Sequence, residues 1–229
     1  MKFLVIQIWD SHCHEGPSFS EIAKITTQST KEYCELHGYD FIFLDKNPDE
    51  SRHISWGRSK LIRDNLDYYD WIWAIDSDLM IMNHTIKLEN IIDNNYDVIV
   101  AANENKIDRI NTGSILWKNS AFSRRLIDDM YKDEEFPNKG FWEQSSLIKQ
   151  IKSSGYLLQN IKIVSPRLIN SYYHFFFTKE NNNYKHGDFV VHLAGAGNTY
   201  RFNELKKFQQ YIIKPLKNID IPIISVEYH

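Results

Sequence analysis

The stretch Trp71-Ile72-Trp73-Ala74-Ile75-Asp76-Ser77-Asp78-Leu79-Met80-Ile81-Met82 decides the fold. Its first five residues are apolar and are bounded by polar residues, a pattern typical of a strand buried on both faces of a parallel sheet. Asp76 and Asp78 follow this strand directly. Because open α/β sheets bind ligands beyond the carboxyl ends of their strands, the two carboxylates stand where a ligand is expected.

The pair Asp76 and Asp78 predicts a divalent cation site. Two carboxylates this close repel each other unless a cation joins them, and Mn²⁺ or Mg²⁺ with oxygen ligands is the usual partner. Such an ion can carry the diphosphate of a nucleotide. The alternative is an acidic pair that only decorates a surface turn, because an isolated Asp-x-Asp motif is short.

Composition argues against several classes of protein. The 229-residue chain has a net charge of −3, and its Lys and Arg residues are scattered among acids, so we expect no binding to nucleic acid or to anionic membranes. Cys13 and Cys34 are the only cysteines, which favours a reducing compartment over a disulfide scaffold or a zinc site. The sequence shows no signal peptide and no long apolar run, which predicts no transmembrane segment and a cytoplasmic location.

The order of the patterns predicts one α/β domain over residues 1–229. A strand over 2–8, a helix that ends at Gly38 and a strand over 39–44 form the start of a nucleotide-binding half-sheet. Further helices are predicted from 56 to about 69 and over 85–94, 120–131, 141–153 and 201–216, and further strands over 97–101, 156–158, 161–164 and 189–193, with a turn at 111–113 that leads into another strand.

Six sets of short segments follow one another along most of the chain. They are Tyr33-Cys34-Glu35-Leu36-His37-Gly38-Tyr39, Trp56 with Lys60, Trp73-Ala74-Ile75-Asp76-Ser77-Asp78 with Met82-Asn83, Asn111-Thr112-Gly113-Ser114 with Asn119-Ser120, Glu143-Gln144-Ser145, and His192-Leu193-Ala194-Gly195. None is specific alone. In this order, over about residues 30 to 197, they resemble the galactosyl/xylosyltransferases that include fungal galactomannan galactosyltransferases and plant xyloglucan xylosyltransferases.

The resemblance implies a GT-A fold, with a mixed, mostly parallel central sheet flanked by helices. It also implies a UDP-sugar donor, Mn²⁺ (or Mg²⁺) as cofactor, and transfer of a sugar to a glycan or glycoprotein acceptor with retention of anomeric configuration. In its terms, Asp78 is a direct metal ligand, Asp76 contacts the metal and the ribose hydroxyls, and His192 is the third ligand. A lone histidine after a buried strand would otherwise be a hydrogen-bonded core residue.

Donor-binding residues are implied at the other matching positions, and each has a structural alternative. Lys60 could lie on a solvated helix face, and residues 111–113 could form a plain turn whose glycine serves the backbone alone. The implied donor contacts are Asp76, Ser77, Lys60, Asn111, Thr112, Gly113, Gly195 and Gly197.

Two departures from the family pattern concern the catalytic centre. The family has two consecutive acids followed by Gln, whereas this chain has Trp142-Glu143-Gln144. We therefore predict Glu143 and Gln144 as the catalytic pair, with a helix N-terminus that lowers the pKa of Glu143. The Lys that usually follows His-x-x-Gly is missing, and Arg201 or the backbone at 197–198 is the predicted substitute at the diphosphate.

The sequence thus predicts a metal-dependent glycosyltransferase. The two departures keep a second hypothesis open, a catalytically degenerate protein that binds a sugar nucleotide or a glycan. A phosphodiesterase or another metal hydrolase would need more carboxylate or histidine ligands than one Asp-x-Asp and one His supply.

Overall fold

The structure, a computed structural model, describes residues 1–9, 19–103, 106–154, 158–173 and 182–215. The strands are β1 (Phe3–Ile8), β2 (Asp40–Leu44), β3 (Trp71–Ile75), β4 (Leu79–Ile81), β5 (Val98–Ala102), β6 (Ile110–Lys118), β7 (Ile161–Val164) and β8 (Val190–His192). The α-helices are α1 (Phe19–His37), α2 (Trp56–Asn65), α3 (Ala121–Tyr131), α4 (Trp142–Ser153), α5 (Pro166–Ile169) and α6 (Asn198–Phe208). Within these ranges, no helix combines the length and the apolar character that a bilayer crossing requires.

The central sheet contains six strands in the order β2-β1-β3-β6-β5-β7. Strand β6 runs antiparallel to β3 and β5, and the other neighbouring pairs are parallel. Helices α2, α3 and α4 cover one face, and α1 and α5 cover the other. The sheet is therefore mixed and mostly parallel with helices on both faces, as predicted.

Strand β3 is buried on both sides, which explains its uninterrupted apolar run. Ile72 and Ala74 face α2, α3 and α4, whereas Trp71, Trp73 and Ile75 face α1. Full burial of an aliphatic or aromatic side chain contributes roughly 1.5–3 kcal/mol, so a polar residue on either face would destabilise the sheet. The strand ends at Ile75, and this end places the two aspartates at the carboxyl edge of the sheet.

A second, two-stranded sheet completes this edge. Strand β4 pairs antiparallel with β8, and Leu79 lies opposite His192. A third group of buried apolar residues packs this small sheet against α1 and α6. The register therefore brings the end of β8 beside Asp78.

Three sequence predictions differ from the structure. The predicted helix over 85–94 is only a 3₁₀ turn at Leu88–Asn90, because Asn83 and Asp93 each bind the backbone N–H two residues ahead and favour turns at both ends. Residues 111–113 lie inside β6, where the pairing with β5 shifts register, and do not form a separate turn. The helix predicted over 201–216 begins and ends earlier, since α6 runs from Asn198 to Phe208. Most of the predicted strand over 156–158 falls outside the described residues.

Candidate active site

Asp76, Asp78 and His192 form a compact group of metal-ligating side chains at the carboxyl end of β3. One ligand atom from each lies within 4.8 Å of the others. The Nε2 atom of His192 is 3.1 Å from Oδ1 of Asp78 and 3.5 Å from Oδ2 of Asp76. The structure thus brings together the three predicted metal ligands, although His192 is 114 residues away from Asp78 in the chain.

A chain of hydrogen bonds orients the His192 ring. The side-chain oxygen of Asn111 accepts the backbone N–H of Gly113 at 2.9 Å and the amide nitrogen of Asn170 at 2.8 Å. The amide oxygen of Asn170 then faces Nδ1 of His192 at 2.7 Å, so this nitrogen carries the proton. Nε2 consequently faces the two aspartates, and without a proton it offers its lone pair there, as a metal ligand requires.

Gly113 is the residue that makes room for this group. A Cβ atom at position 113 would lie 2.3 Å from Cε1 of His192 and 2.6 Å from Oδ2 of Asp76. Contacts this short do not occur between non-bonded atoms, so a side chain would push two of the three ligands away. The glycine of the predicted 111–113 segment therefore lies against the predicted ligands, at a position where only a hydrogen atom fits.

Each aspartate also has an arginine partner. Asp76 pairs through Oδ1 with Nη2 of Arg58 at 2.9 Å, and Asp78 pairs through Oδ2 with Nε of Arg201 at 2.9 Å. Burial alone would raise the pKa of Asp78, but the charges of His192 and Arg201 outweigh it and hold the pKa well below its ordinary value. The charges of the two aspartates and the two arginines cancel one another.

Arg58 reaches the group, whereas Lys60, the residue chosen from the sequence, forms an ion pair with Asp64 on the same helix. Arg58 is only 5% exposed and shares the buried side of α2 with Leu61 and Ile62, three and four residues further on. Helical spacing therefore carried a signal for Arg58 that the family match did not use. Asn170 was missed as well, and its neighbours in the sequence carry no comparable signal.

Glu143 and Asp76 share one nitrogen of Arg58, its Nη2. The Oε1 atom of Glu143 accepts hydrogen bonds from Nη2 of Arg58 and from the Thr112 hydroxyl, both at 3.0 Å, while its buried Oε2 has no partner among the described residues. Burial raises the pKa of Glu143 to about 7. The charge of Asp76 adds to this rise, and the charge of Arg58 opposes it. The sequence-based expectation of a lowered pKa was wrong, because desolvation outweighs the helix N-terminus.

The other site residues predicted from the sequence are Gln144, Ser77, Gly195 and Gly197. The Gln144 side-chain oxygen accepts the backbone N–H of Thr112 at 3.2 Å, so both members of the predicted catalytic pair contact β6. The Ser77 hydroxyl is buried and donates to the carbonyl oxygen of Ile8 at 2.5 Å, which ties the β3–β4 turn to β1. Gly195 has a φ of +70°, and Gly197 immediately precedes α6.

The chain is similar in sequence to known sugar transferases. A family model described as the galactosyl transferase GMA12/MNN10 family matches residues 1–103 and 92–203. An alpha-1,2-galactosyltransferase of Schizosaccharomyces pombe is 25% identical over 228 residues, which cover 82% of this chain and 60% of that protein. Xyloglucan 6-xylosyltransferase 4 of Arabidopsis thaliana is 26% identical over 106 residues, which cover 42% of this chain and 21% of that protein. The chain thus spans less than two thirds of the length of either relative.

Solved structures share the fold. A glycosyltransferase involved in the glycosylation of the major capsid of PBCV-1 has a TM-score of 0.70 at 17% identity, covering 90% of this chain and all of that one. The galactosyltransferase LgtC, solved with donor and acceptor sugar analogs, has a TM-score of 0.51 at 14% identity, covering 93% of this chain and 97% of that one. These similarities confirm the predicted GT-A type of fold.

Proposed function

Because the chain belongs to the galactosyl transferase GMA12/MNN10 family, as its sequence predicted, we propose that it transfers a sugar from a UDP-sugar donor to a hydroxyl of a glycan or glycoprotein. The proposal includes Mn²⁺ or Mg²⁺ as cofactor and retention of the anomeric configuration. The names of the relatives, an α-1,2-galactosyltransferase and a xyloglucan xylosyltransferase, favour galactose or xylose as the transferred sugar. The observation that carries the proposal is the group of Asp76, Asp78 and His192.

The three side chains suit a hard divalent cation that also accepts nitrogen. Asp76 and Asp78 would supply carboxylate oxygens and His192 its Nε2, a combination that favours Mn²⁺ over Mg²⁺ because Mg²⁺ prefers an all-oxygen shell. The orientation of the imidazole by Asn170 and the absence of a side chain at Gly113 fit this use. A cation held there would neutralise the negative charge that develops on the departing diphosphate.

The arginine partners make the metal and the nucleotide depend on each other. Arg58 and Arg201 already balance the charges of Asp76 and Asp78. A cation alone would therefore meet little net attraction, whereas a cation and a diphosphate together bring opposite charges into the site. Arg201, 14% exposed at its side chain and beside the metal group, is the residue we assign to the diphosphate in place of the family's Lys.

Glu143 and Gln144 are assigned to the transferred sugar. Thr112 and Arg58 hold Glu143 through Oε1, which leaves Oε2 for the face of the sugar opposite the diphosphate. When the bond to the diphosphate breaks, positive charge develops at the anomeric carbon, and a carboxylate stabilises it by charge or by forming a covalent bond. Retention follows from either route. The amide nitrogen of Gln144 remains available for a sugar hydroxyl.

A protein that binds a sugar nucleotide without transferring the sugar is the second candidate. The observation in its favour is Trp142, which occupies the position of the first of the family's two acids. Only the carboxylate of Glu143 then remains in this segment for the chemistry.

Melting curves with UDP and Mn²⁺ test the metal assignment. A ligand that binds only the folded state at 100 times its Kd adds about 2.7 kcal/mol of stability, so UDP with Mn²⁺ should raise the Tm clearly and UDP with a chelator should not. In Asp78→Asn the two conditions should give the same Tm. Because that substitution leaves Arg201 without its carboxylate partner, each comparison is made within one variant, with and without ligand. Equal UDP binding by Asp78→Asn in a chelator and by the wild type with Mn²⁺ would refute the metal bridge.

Hydrolysis of the donor distinguishes the two candidates. A transferase given UDP-galactose or UDP-xylose and Mn²⁺ without an acceptor should release free sugar slowly, because water can replace the acceptor. Tight binding of Mn²⁺ and UDP without release of sugar from either donor would favour the binding protein.

A further inference from the structure

The ion pair of Arg58 and Glu143 joins the first turns of two helices. Arg58 lies in the first turn of α2, and Glu143 lies in the first turn of α4. Ser55 and Phe141, the residues that directly precede these helices, make no capping hydrogen bond through their side chains. Because a side-chain cap commonly stabilises a helix start, another contact has to hold these two first turns.

A stack of two rings lies at the same pair of helix starts. The ring of His53, shortly before α2, lies parallel to the ring of Trp142, the first residue of α4, with centroids 3.7 Å apart and an interplanar angle of 4°. The backbone N–H of Ser55 donates to Nδ1 of His53 at 3.3 Å, and the backbone N–H of His53 donates to the carbonyl oxygen of Pro137 at 3.0 Å. The segment before α2 is therefore joined to the segment before α4 through both the ring and the backbone of His53.

Trp142 has a backbone conformation that large side chains rarely adopt. Its φ is +48°, and it is the only non-glycine residue with positive φ in the ranges the structure describes. Strain of this kind persists only where the surrounding contacts fix it. The contacts of Trp142 are the core between the sheet and α2, α3 and α4, together with the ring of His53. This left-handed residue turns the chain into α4 directly before Glu143.

The carboxylate of Glu143 depends on the position of both helices. Arg58, which binds its Oε1, also donates through Nη1 to the carbonyl oxygen of Thr112 at 2.9 Å, so α2, α4 and β6 meet at this group. A shift of either first turn would move Oε2, the oxygen that the proposed function assigns to the sugar. A misplacement of about 1 Å can lower a reaction rate about 100-fold.

We propose that the stacked rings of His53 and Trp142 position Glu143 for catalysis. The stack fixes the first turns of α2 and α4 relative to each other and so holds Oε2 where the anomeric carbon of the donor arrives. Neither ring touches the sugar, and both residues act through Glu143. This inference rests on the proposed function and adds two positioning residues to it.

Four single variants separate the stack from stability in general. Trp142→Gly deletes one ring at a position where glycine adopts the observed φ without strain, and His53→Ala deletes the other. His53→Phe is the conservative variant, because it keeps a flat ring. Gly38→Ala is the control, since its φ of +70° destabilises the end of α1 while its Cβ meets no atom within 4 Å. Melting curves establish that all four fold.

Hydrolysis of UDP-galactose or UDP-xylose with Mn²⁺ measures the effect on turnover. We expect kcat to fall at least about tenfold in Trp142→Gly and in His53→Ala, and KM to change less than about threefold, because the metal group and Arg201 still bind the diphosphate. The double variant should lose no more than the lower of the two single variants, since either substitution removes the stack. His53→Phe and Gly38→Ala should keep kcat within about twofold of the wild type.

The titration of Glu143 gives a second measurement that needs no turnover. Burial raises its pKa to about 7, the charge of Asp76 adds to this rise, and the charge of Arg58 opposes it. If the first turn of α4 loosens, water reaches Oε2 and the pKa falls towards its ordinary 4.5. Urea titrations compare Trp142→Gly with the same variant carrying Glu143→Gln. The stability that the carboxyl group loses as the pH rises should then be fully lost at least about one pH unit lower than in the wild type.

Wild-type kcat in Trp142→Gly and His53→Ala would overturn the inference, and so would a titration of Glu143 that still ends near pH 7 in Trp142→Gly. If the wild type releases no sugar from either donor, the proposed function fails. The titration of Glu143 alone then decides whether the two rings position this carboxylate.

Discussion

Replacing Gly113 by alanine should abolish metal binding while the protein stays folded. The new Cβ atom would lie 2.3 Å from Cε1 of His192, 2.6 Å from Oδ2 of Asp76 and 2.8 Å from Oδ1 of Asn111. Carbon atoms in contact are about 3.5–4.0 Å apart, so the imidazole would have to move by more than about 1 Å. His192 is fully buried and bonded to Asn170, which leaves no room for such a movement without disturbing the group.

The size of the effect follows from the tolerance of metal sites. Ligand distances there vary by only about 0.2 Å, and changes around a metal typically reduce affinity about 10- to 100-fold. Overpacking costs roughly 1–3 kcal/mol, which a domain of this size can lose and remain folded. We therefore expect at least a tenfold weaker affinity for Mn²⁺ in the presence of UDP, together with a moderately lower Tm.

Electron paramagnetic resonance of free Mn²⁺ gives the affinity directly, because the signal of the hydrated ion falls as it binds. Gly38→Ala is the matched control: its φ of +70° strains an alanine by about 1–2 kcal/mol, but a Cβ there meets no atom within 4 Å. It should lose stability and keep the wild-type affinity for Mn²⁺. Wild-type affinity in Gly113→Ala would show that these three side chains do not hold the ion.

Four further predictions concern three neighbouring residues. Burial raises the pKa of Glu143 from its ordinary 4.5 to about 7, so the folded state binds this proton more tightly than the unfolded state. Relative to Glu143→Gln, the wild type should therefore lose on the order of 3 kcal/mol of unfolding free energy between about pH 4.5 and pH 7. Urea titrations at several pH values measure this loss, and its absence would contradict the buried position of Glu143. The same variant should keep Mn²⁺-dependent UDP binding and lose at least about 100-fold in turnover, and a fully active Glu143→Gln would exclude both catalytic roles. Asn170→Ala should weaken Mn²⁺ binding about 10- to 100-fold, because Nδ1 of His192 loses its acceptor although Asn170 itself is no ligand. An unchanged Kd for Mn²⁺ in calorimetry would show that the orientation of the ring has another cause. Arg201→Met should strengthen Mn²⁺ binding without nucleotide, because the guanidinium that competes for Asp78 is gone. The same substitution should weaken UDP binding when Mn²⁺ is present. A change of both affinities in the same direction would exclude the assignment of Arg201 to the diphosphate.

The features that the sequence predicted are those that short segments determine. The five apolar residues of β3 are typical of a doubly buried strand, and the acids that follow it lie at the edge of the sheet, where they were expected. The position of His192 was predicted through its family segment, and the pairing of β4 with β8 explains why that segment lies at the aspartates.

The features that were missed depend on contacts between distant parts of the chain. Helical spacing puts Arg58 on the side of α2 that carries Leu61 and Ile62, but only the packing of α2 brings this side to Asp76. Asn170 is 22 residues away from the histidine that it orients. The pKa of Glu143 depends on its burial and on the charges of Arg58 and Asp76, whereas the sequence showed only its place at the start of a helix.

The separation of Asp78 and His192 by 114 residues also bears on the way the protein is assembled. Contacts between such distant residues form late in folding, because ordering the intervening chain is entropically costly. A chain in which β3 has formed but β8 has not yet paired presents two carboxylates without the imidazole. Manganese should therefore associate only weakly with folding intermediates and report, through its binding, the fraction of molecules that have completed the fold.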